Sequence, residues 1–364
     1  MSKSTGFAAR GALGVVFCLA LSAAPLVATA AQGRTESPRI PFNQRYQAVH
    51  RGGIIRAANS AITCLSPKTA SAGTCSAVRA GAAGANSDFD MLYVDVDHDP
   101  NTYNSSRAEL VLPKNSTVRY ARLYWGGNLR VGEQKPPKDN GRVLIAEPRG
   151  RYKAVLADTL VAHRNADGAD AFQASADVTP LVRRSGSGLY TVAQVNVAKG
   201  HSKVGSWGGW TLVVAYENSE EPLRHLSVWD GFETLDAKRK SQEITLKGLS
   251  IPANASGSAG VVSYDGDRAA QGDAVSVRAG NSTALALAGR VNPADDVMNS
   301  TISTAGGLAM RRQPAYLNTL GYDSDVFDIK PALAAGASAL NFRFNAESHG
   351  YFLGVLFMQA DSRR

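Results

Sequence analysis

The size and spacing of the apolar runs constrain this chain more than any other feature. Runs of four to nine residues, rich in β-branched and aromatic side chains, recur at 53–56, 90–95, 108–112, 118–125, 143–146, 153–156, 189–197, 210–216, 225–228, 243–246, 260–264, 274–278, 339–344 and 351–358. Gly, Pro, Asn and Asp separate them. Runs of that length fit strands, and the separating residues are those that turn a chain. No long stretch repeats its apolar residues at helical spacing. The expected fold is therefore all-β: an antiparallel β-sandwich, jelly-roll-like, built as one large domain with long loops.

Two of the runs, 210–216 and 352–358, are apolar on both faces instead of alternating. Strands of that kind are covered on both sides, so these two belong at the centre. The second lies close to the C-terminus, so the fold is expected to close with its last strand. Asp177-Val178-Thr179, then Gly186-Ser187-Gly188 ahead of 189–192, predicts a turn, a short helical step and a glycine-led strand; this local pattern resembles a jelly-roll edge. Residues 248–340 are richer in Asn, Asp and Gly and read as a loop-rich half of the same sandwich. Hydrophobic residues make up 44% of the chain and charged ones only 19%, enough apolar surface for a sizeable core and too little charge for a disordered chain.

Residues 1–30 read as a secretory signal peptide: Lys3 and Arg10 precede an apolar stretch at 14–21, and Ala28-Thr29-Ala30 forms a small-residue cleavage site. The apolar stretch is short for a bilayer span, so no transmembrane segment is expected once the leader is removed. Residues 31–50 are polar with two prolines and are expected as an extended N-terminal segment, with the sandwich domain occupying 51–364. Beyond the leader only Cys64 and Cys75 remain, and in an exported chain such a pair is expected to form a disulfide. The formal net charge is +8, with basic residues scattered and Lys238-Arg239-Lys240 the longest run. That dispersion favours mild attraction to anionic polymers and argues against specific nucleic-acid binding, which uses a basic stripe interleaved with aromatics.

Several segments taken in order carry a family resemblance. They include 59–64 (Asn-Ser-Ala-Ile-Thr-Cys), 88–100 with its Asp-Val-Asp-His-Asp-Pro end, 109–113, 121–127 (Ala-Arg-Leu-Tyr-Trp-Gly-Gly), 209–217, Asp230-Gly231-Phe232, Asn292-Pro293-Ala294-Asp295-Asp296 and 318–323 (Asn-Thr-Leu-Gly-Tyr-Asp). Together they resemble the uncharacterised N-terminal β-domain of bacterial secreted and surface proteins. That domain usually precedes Ig-like "conserved repeat domain" modules (domain of unknown function eleven). The resemblance implies an exported, surface-associated β-domain, with adhesion or envelope display as its role. This chain lacks the repeat modules, a C-terminal apolar helix and an LPxTG-type signal, so free secretion or loose cell-surface association is expected instead of a covalent wall anchor.

Three constellations could carry chemistry. Asp95, Asp97 and Asp99, placed on one strand face by alternation and followed by Asn101, present oxygens at every second residue as Ca²⁺ loops do. The other reading is an acidic, Pro-terminated turn paired with Arg107 or Arg122. A second acidic group comprises Asp265, Asp267, Asp273, Asp295, Asp296, Asn299, Asp323 and Asp325; brought together, these loops would form an oxygen-lined ligand pocket, although Asp and Asn are also ordinary turn residues. Trp207-Gly208-Gly209-Trp210 could stack a sugar, or could be core. Metal-ligand histidine spacing, a G-x-S-x-G elbow and phosphate-binding glycine loops are all missing, so no enzyme is expected. A glycoside hydrolase with paired carboxylates stays open, because such pairs need no sequence proximity. The expected function is a secreted or cell-envelope-associated, non-catalytic, adhesin-like binding domain. Its expected partner is cell-wall or extracellular polysaccharide, or another surface protein. Ca²⁺ is the only cofactor considered, and a carbohydrate-binding module using Trp207 and Trp210 is the alternative.

Overall fold

The long strand Ile40–Ser60 organises the molecule. In the computed structural model, which describes Gly6 and residues 35–306, 311–347 and 350–363, this strand changes partner half-way. Its first half pairs antiparallel with Leu223–Leu235, from Arg51 opposite Leu223 to Ile40 opposite Phe232. Its second half pairs with Gly208–Glu217, from Gly52 opposite Glu217 to Ser60 opposite Gly209. The switch falls at Gly52, where φ is +138° and a Cβ would lie 2.0 Å from the Tyr216 carbonyl oxygen, so only glycine fits.

Around that strand runs a sheet of eleven strands. One half holds Glu36–Ser37, Val161–Ala166, Ala169–Asp177, Thr117–Asn128 and Gly208–Glu217; the other holds Leu223–Leu235, Tyr351–Asp361, Gly257–Tyr264, Tyr322–Asp328 and Ile302–Ser303. Each half has its own partner sheet. The five-stranded sheet Arg312–Gln313, Ser105–Leu110, Gly188–Ala193, Arg142–Ala146, Lys153–Leu156 closes a core containing Trp125, Trp210, Leu212, Phe172 and Tyr190. The four-stranded sheet Ser241–Ile251, Ala337–Asn345, Ala274–Ala279, Leu285–Ala286 closes a second core around Leu353, Leu356, Val261, Phe342 and Phe344.

A third core joins the two half-sheets. Tyr124, Val213 and Ala215 from one half meet Phe232, Tyr264, Tyr322, Phe352 and Phe357 from the other. The expected all-β sandwich is thus present, but doubled, with two sandwiches back to back. This explains why 210–216 and 352–358 are apolar on both faces: Trp210, Leu212 and Val214 point into the first core and Val213 and Ala215 into the third. Polar pins cross the junction. Arg45 donates twice to Asp230, at 2.8 Å each, and the Tyr124 hydroxyl donates to the same carboxylate at 3.0 Å.

Two local expectations are met in the structure. Asp177 accepts from the Thr179 amide, Thr179–Ser185 forms the short helix, Gly186 ends it at φ +65°, and Gly188 opens the next strand. Cys64 and Cys75 are disulfide-bonded, with Cα atoms 5.7 Å apart. The segment 31–50 is a correction: from Ile40 onward it is an integral strand. The proposed leader, Gly6 apart, lies outside the described residues. Among the described residues no helix is long and apolar enough to cross a membrane.

Candidate ligand groove and buried acidic centre

The outer face of the five-stranded sheet carries an open groove of about 840 Å³. Strand alternation builds it. Ala108, Leu110, Tyr190, Val192, Val143 and Ile145 point inward to the core, which leaves Arg107, Glu109, Leu189, Thr191 and Ala146 facing out. Thr191 stands opposite both Arg107 and Ala146, and Leu189 opposite Glu109, so these side chains sit side by side on the floor. Loops supply the rim: Asp97 and Asp99 from one, Glu147 to Tyr152 from another, and Arg311 from just ahead of the edge strand Arg312–Gln313. The Tyr152 hydroxyl donates to Asp97 and links the first two loops. Arg107 donates to Thr191 Oγ1 at 3.1 Å.

Here the acidic motif differs from its expected form. The chain leaves strand geometry after Asp95, which bridges Ser105; His98 takes a left-handed φ of +55° and Pro100 follows. Asp95, Asp97 and Asp99 therefore do not share a strand face. Each is used inside the turn: Asp95 accepts from the Ser105 hydroxyl, Asp97 from the Asp99 amide, and Asp99 from the amide and side chain of Asn101. Neither expected arginine is the partner, since Arg122 pairs with Asp158 and Arg107 with Thr191. Among the described residues no three carboxylate, imidazole or thiolate groups are grouped so as to hold a metal ion. Burial disfavours ionisation of Asp97, but the Tyr152 hydroxyl and the Asp99 amide outweigh it, so its pKa is lowered. Glu147 behaves the same way, with burial outweighed by Lys153.

The second acidic group is brought together, mostly inside the protein. Asn86 donates its amide to Asp265 at 3.1 Å and to Asp267 at 3.2 Å, across some 180 residues of sequence. Asp296 accepts from the Ala269 amide at 2.9 Å, and Asp273 forms a bridge with Asp296. Asp323 accepts from Thr301, and Asp325 from Ser303. Asp273, Asp296, Asp323 and Asp325 are buried, and Asp265 and Asp267 partly so. Burial first, then neighbouring carboxylates, raises their pKa values: Asp267 to about 7, Asp273 to about 8, Asp265 and Asp323 well above the usual range. Asp325 rises to about 6, held there by burial against the opposing pull of Ser303 and Arg56. Asp295 is the exception and faces solvent beside Lys240, Arg343 and Glu347.

The tryptophan platform is corrected outright. Trp207 and Trp210 are both 0% exposed. Trp210 donates to Ser106 Oγ at 2.8 Å within the first core, and Trp207 packs on Tyr264 and Phe352 in the third. The two glycines between them admit protein, not ligand: a Cβ at Gly208 would lie 2.8 Å from the Gly126 carbonyl oxygen, and one at Gly209 2.7 Å from that of Asn59. Sequence reading missed Arg107, Glu109, Arg149, Arg151, Tyr152 and Arg311 as one lining. Its only local trace is the charged turn Glu147-Pro148-Arg149-Gly150-Arg151.

No curated protein matches the chain. Among solved structures, a protein of Sulfolobus turreted icosahedral virus is 8% identical, with 85% of this chain and 90% of that one covered and a TM-score of 0.22. PNGF-II is 9% identical, with 85% and 66% covered and a TM-score of 0.25. PNGase F, a glycosylasparaginase from Flavobacterium meningosepticum, is 11% identical, with 71% and 90% covered and a TM-score of 0.18. Scores this low carry no argument about fold or function. The sequence model of the family described as "protein of unknown function (DUF3344)" matches residues 86–358, most of the chain, and the chain belongs to that family.

Proposed function

We propose that this chain is a secreted or cell-envelope-associated, non-catalytic, adhesin-like domain that holds a polysaccharide in the groove of the five-stranded sheet. The groove is the observation that carries the reading. It is open, lies across the outer face of the five-stranded sheet, and is lined by guanidinium, carboxylate and hydroxyl groups, among which Arg107 is held by Thr191 and Asp97 by Tyr152. Polyhydroxylated ligands are bound by such fixed donors and acceptors, which fit vicinal hydroxyls. With the tryptophans in the core, hydrogen bonding takes over the role that stacking was expected to fill. Kinship with the β-domain that precedes Ig-like repeat modules in bacterial surface proteins belongs to the same proposal.

Four carboxylates line the groove, so hydrolysis is the competing idea. A glycoside hydrolase needs one carboxyl that keeps its proton near neutrality. Asp97 and Glu147 are held below their usual range, which suits hydrogen-bond acceptors. Co-sedimentation with insoluble cell-wall and extracellular polysaccharides tests the proposal, using Ala146→Trp to fill the groove floor. The expected outcome is sedimentation by the native chain, loss in the variant at an unchanged melting temperature, and no new reducing ends. Sedimentation untouched by Ala146→Trp, or release of reducing ends, would overturn it.

A further inference from the structure

The charge pairing inside the groove narrows the ligand class. We infer that the bound polymer is anionic, each recognised unit carrying a carboxylate or a phosphate; this rests on the groove being the polysaccharide site. The lining contains four arginines, but they are not equivalent. Arg311 is matched by Glu109 at 3.9 Å. Glu147 is neutralised by Lys153, while Asp97 and Asp99 accept hydrogen bonds from the neutral groups of Tyr152 and Asn101. Arg107 meets only the neutral hydroxyl of Thr191. Arg149 and Arg151 are exposed and make no hydrogen bond or ion pair with any described residue. Three guanidiniums therefore line the groove without an ion pair to any described carboxylate.

The loop that carries two of them is fixed rather than loose. The Gly150 amide donates to the Glu147 carbonyl at 2.7 Å, and the Glu147 side chain tucks under the loop, 2.7 Å from where a Gly150 Cβ would stand. Glu147 is itself held by Lys153 from the adjacent strand. Arg149 and Arg151 thus flank a pinned glycine, so that the loop backbone is ordered before binding and only the two side chains remain to be ordered. Across the small floor residues Ala146, Gly188 and Thr191 lies Arg107, close enough for its charge to act on Tyr152. A planar guanidinium presents a fork of N–H donors that fits a carboxylate or a phosphate with two parallel bonds, whereas a neutral hydroxyl uses it poorly.

The test measures affinity of the full chain for four polymers of similar length: polygalacturonate (carboxylate), poly(glycerol phosphate), dextran (neutral) and duplex DNA. Native chain, Arg149→Gln/Arg151→Gln, Arg107→Gln and the distant control Lys240→Gln are compared. We expect one or both acidic polymers to bind at least about tenfold more tightly than dextran, the preference shrinking as salt rises. The double variant should lose about tenfold or more, Arg107→Gln should also weaken binding, and Lys240→Gln should not, with melting temperatures unchanged. The two acidic arms identify whether the anion is carboxylate or phosphate. Dextran bound as tightly as the acidic polymers, with the arginine variants neutral, would overturn the anionic class while leaving polysaccharide binding intact. Binding of no glycan polymer would sink the parent reading. Duplex DNA bound in preference to all three other polymers, with the same arginine dependence, would overturn the polysaccharide assignment.

Discussion

Lowering the pH from neutrality should make this protein more stable, against the usual trend, because of the buried acidic centre. Asp267 titrates near 7 and Asp273 near 8 in the folded chain, against 3.8 without the fold. Burial is the first cause for both, followed for Asp273 by the facing carboxylates of Asp296 and Asp267. A carboxyl with a raised folded pKa binds a proton that the unfolded chain has already released. Its stabilisation is complete below about 4 and is lost as pH rises through the folded value. Between pH 5 and 6.5 each of the two contributes a slope of about 1.4 kcal/mol per pH unit, and Asp265 and Asp323, raised further, add to it in the same direction. Asp97, Asp158, Glu133, Glu147 and Asp236 have lowered values and work the other way, losing stability as pH falls through their own folded range, so the optimum should lie near pH 4–5. Urea denaturation in chelator-containing buffers across pH 4–8 measures this. Asp273→Asn, isosteric and uncharged, should lower the slope by one group's share, about 1.4 kcal/mol per pH unit, and raise stability at pH 8. A midpoint that is flat or rises from pH 5 to 7.5 in the native chain, or a slope unaltered in Asp273→Asn, would refute the argument.

Two further outcomes follow from particular contacts. Reducing Cys64–Cys75, or replacing both by Ala, removes an 11-residue separation cross-link and should cost about 2–3 kcal/mol by loop-closure entropy, read as a lower urea midpoint; equal midpoints with and without reductant would show that the tie contributes nothing. His163 bridges Glu36 at 2.6 Å and Asp170 at 2.7 Å, and although burial lowers its pKa, those two carboxylates raise it overall. The stabilisation is present below the ordinary histidine range and lost as pH rises through the raised value. Amide exchange at Glu36–Ser37, corrected for intrinsic rate, should then accelerate above that pH in the native chain and at all pH values in His163→Gln, while Gly208–Glu217 stays protected; unchanged protection in the variant would count against the bridge.

How far local reading reached can be judged from individual segments. The 210–216 run was legible as central because burial on both faces erases alternation, and that erasure is visible in four consecutive apolar residues. The helix Thr179–Ser185 was legible because its start at Asp177 and its stop at Gly186 are local backbone chemistry. Residues 40–50 were misread for the opposite reason. Arg45 and other polar residues look like solvated chain, yet Arg45 lies against buried Asp230, which is 185 residues away in sequence. Of the candidate site residues, Asp265, Asp267 and Asp296 come together in the fold, whereas Asp295, next in chain to Asp296, turns outward.

By itself, the sequence determined the secondary-structure class, the positions of most strands and the short-range cross-link, since these depend on side-chain size, alternation and turn chemistry within a few residues. Tertiary structure alone decided that the sandwich is doubled. That doubling buries Trp207 between half-sheets, Asp323 among other acids, and leaves the five-stranded sheet's outer face free to carry a groove. A tryptophan or an aspartate has the same local signature in a core, a turn or a binding face. Which one it occupies depends on what the far end of the chain brings against it.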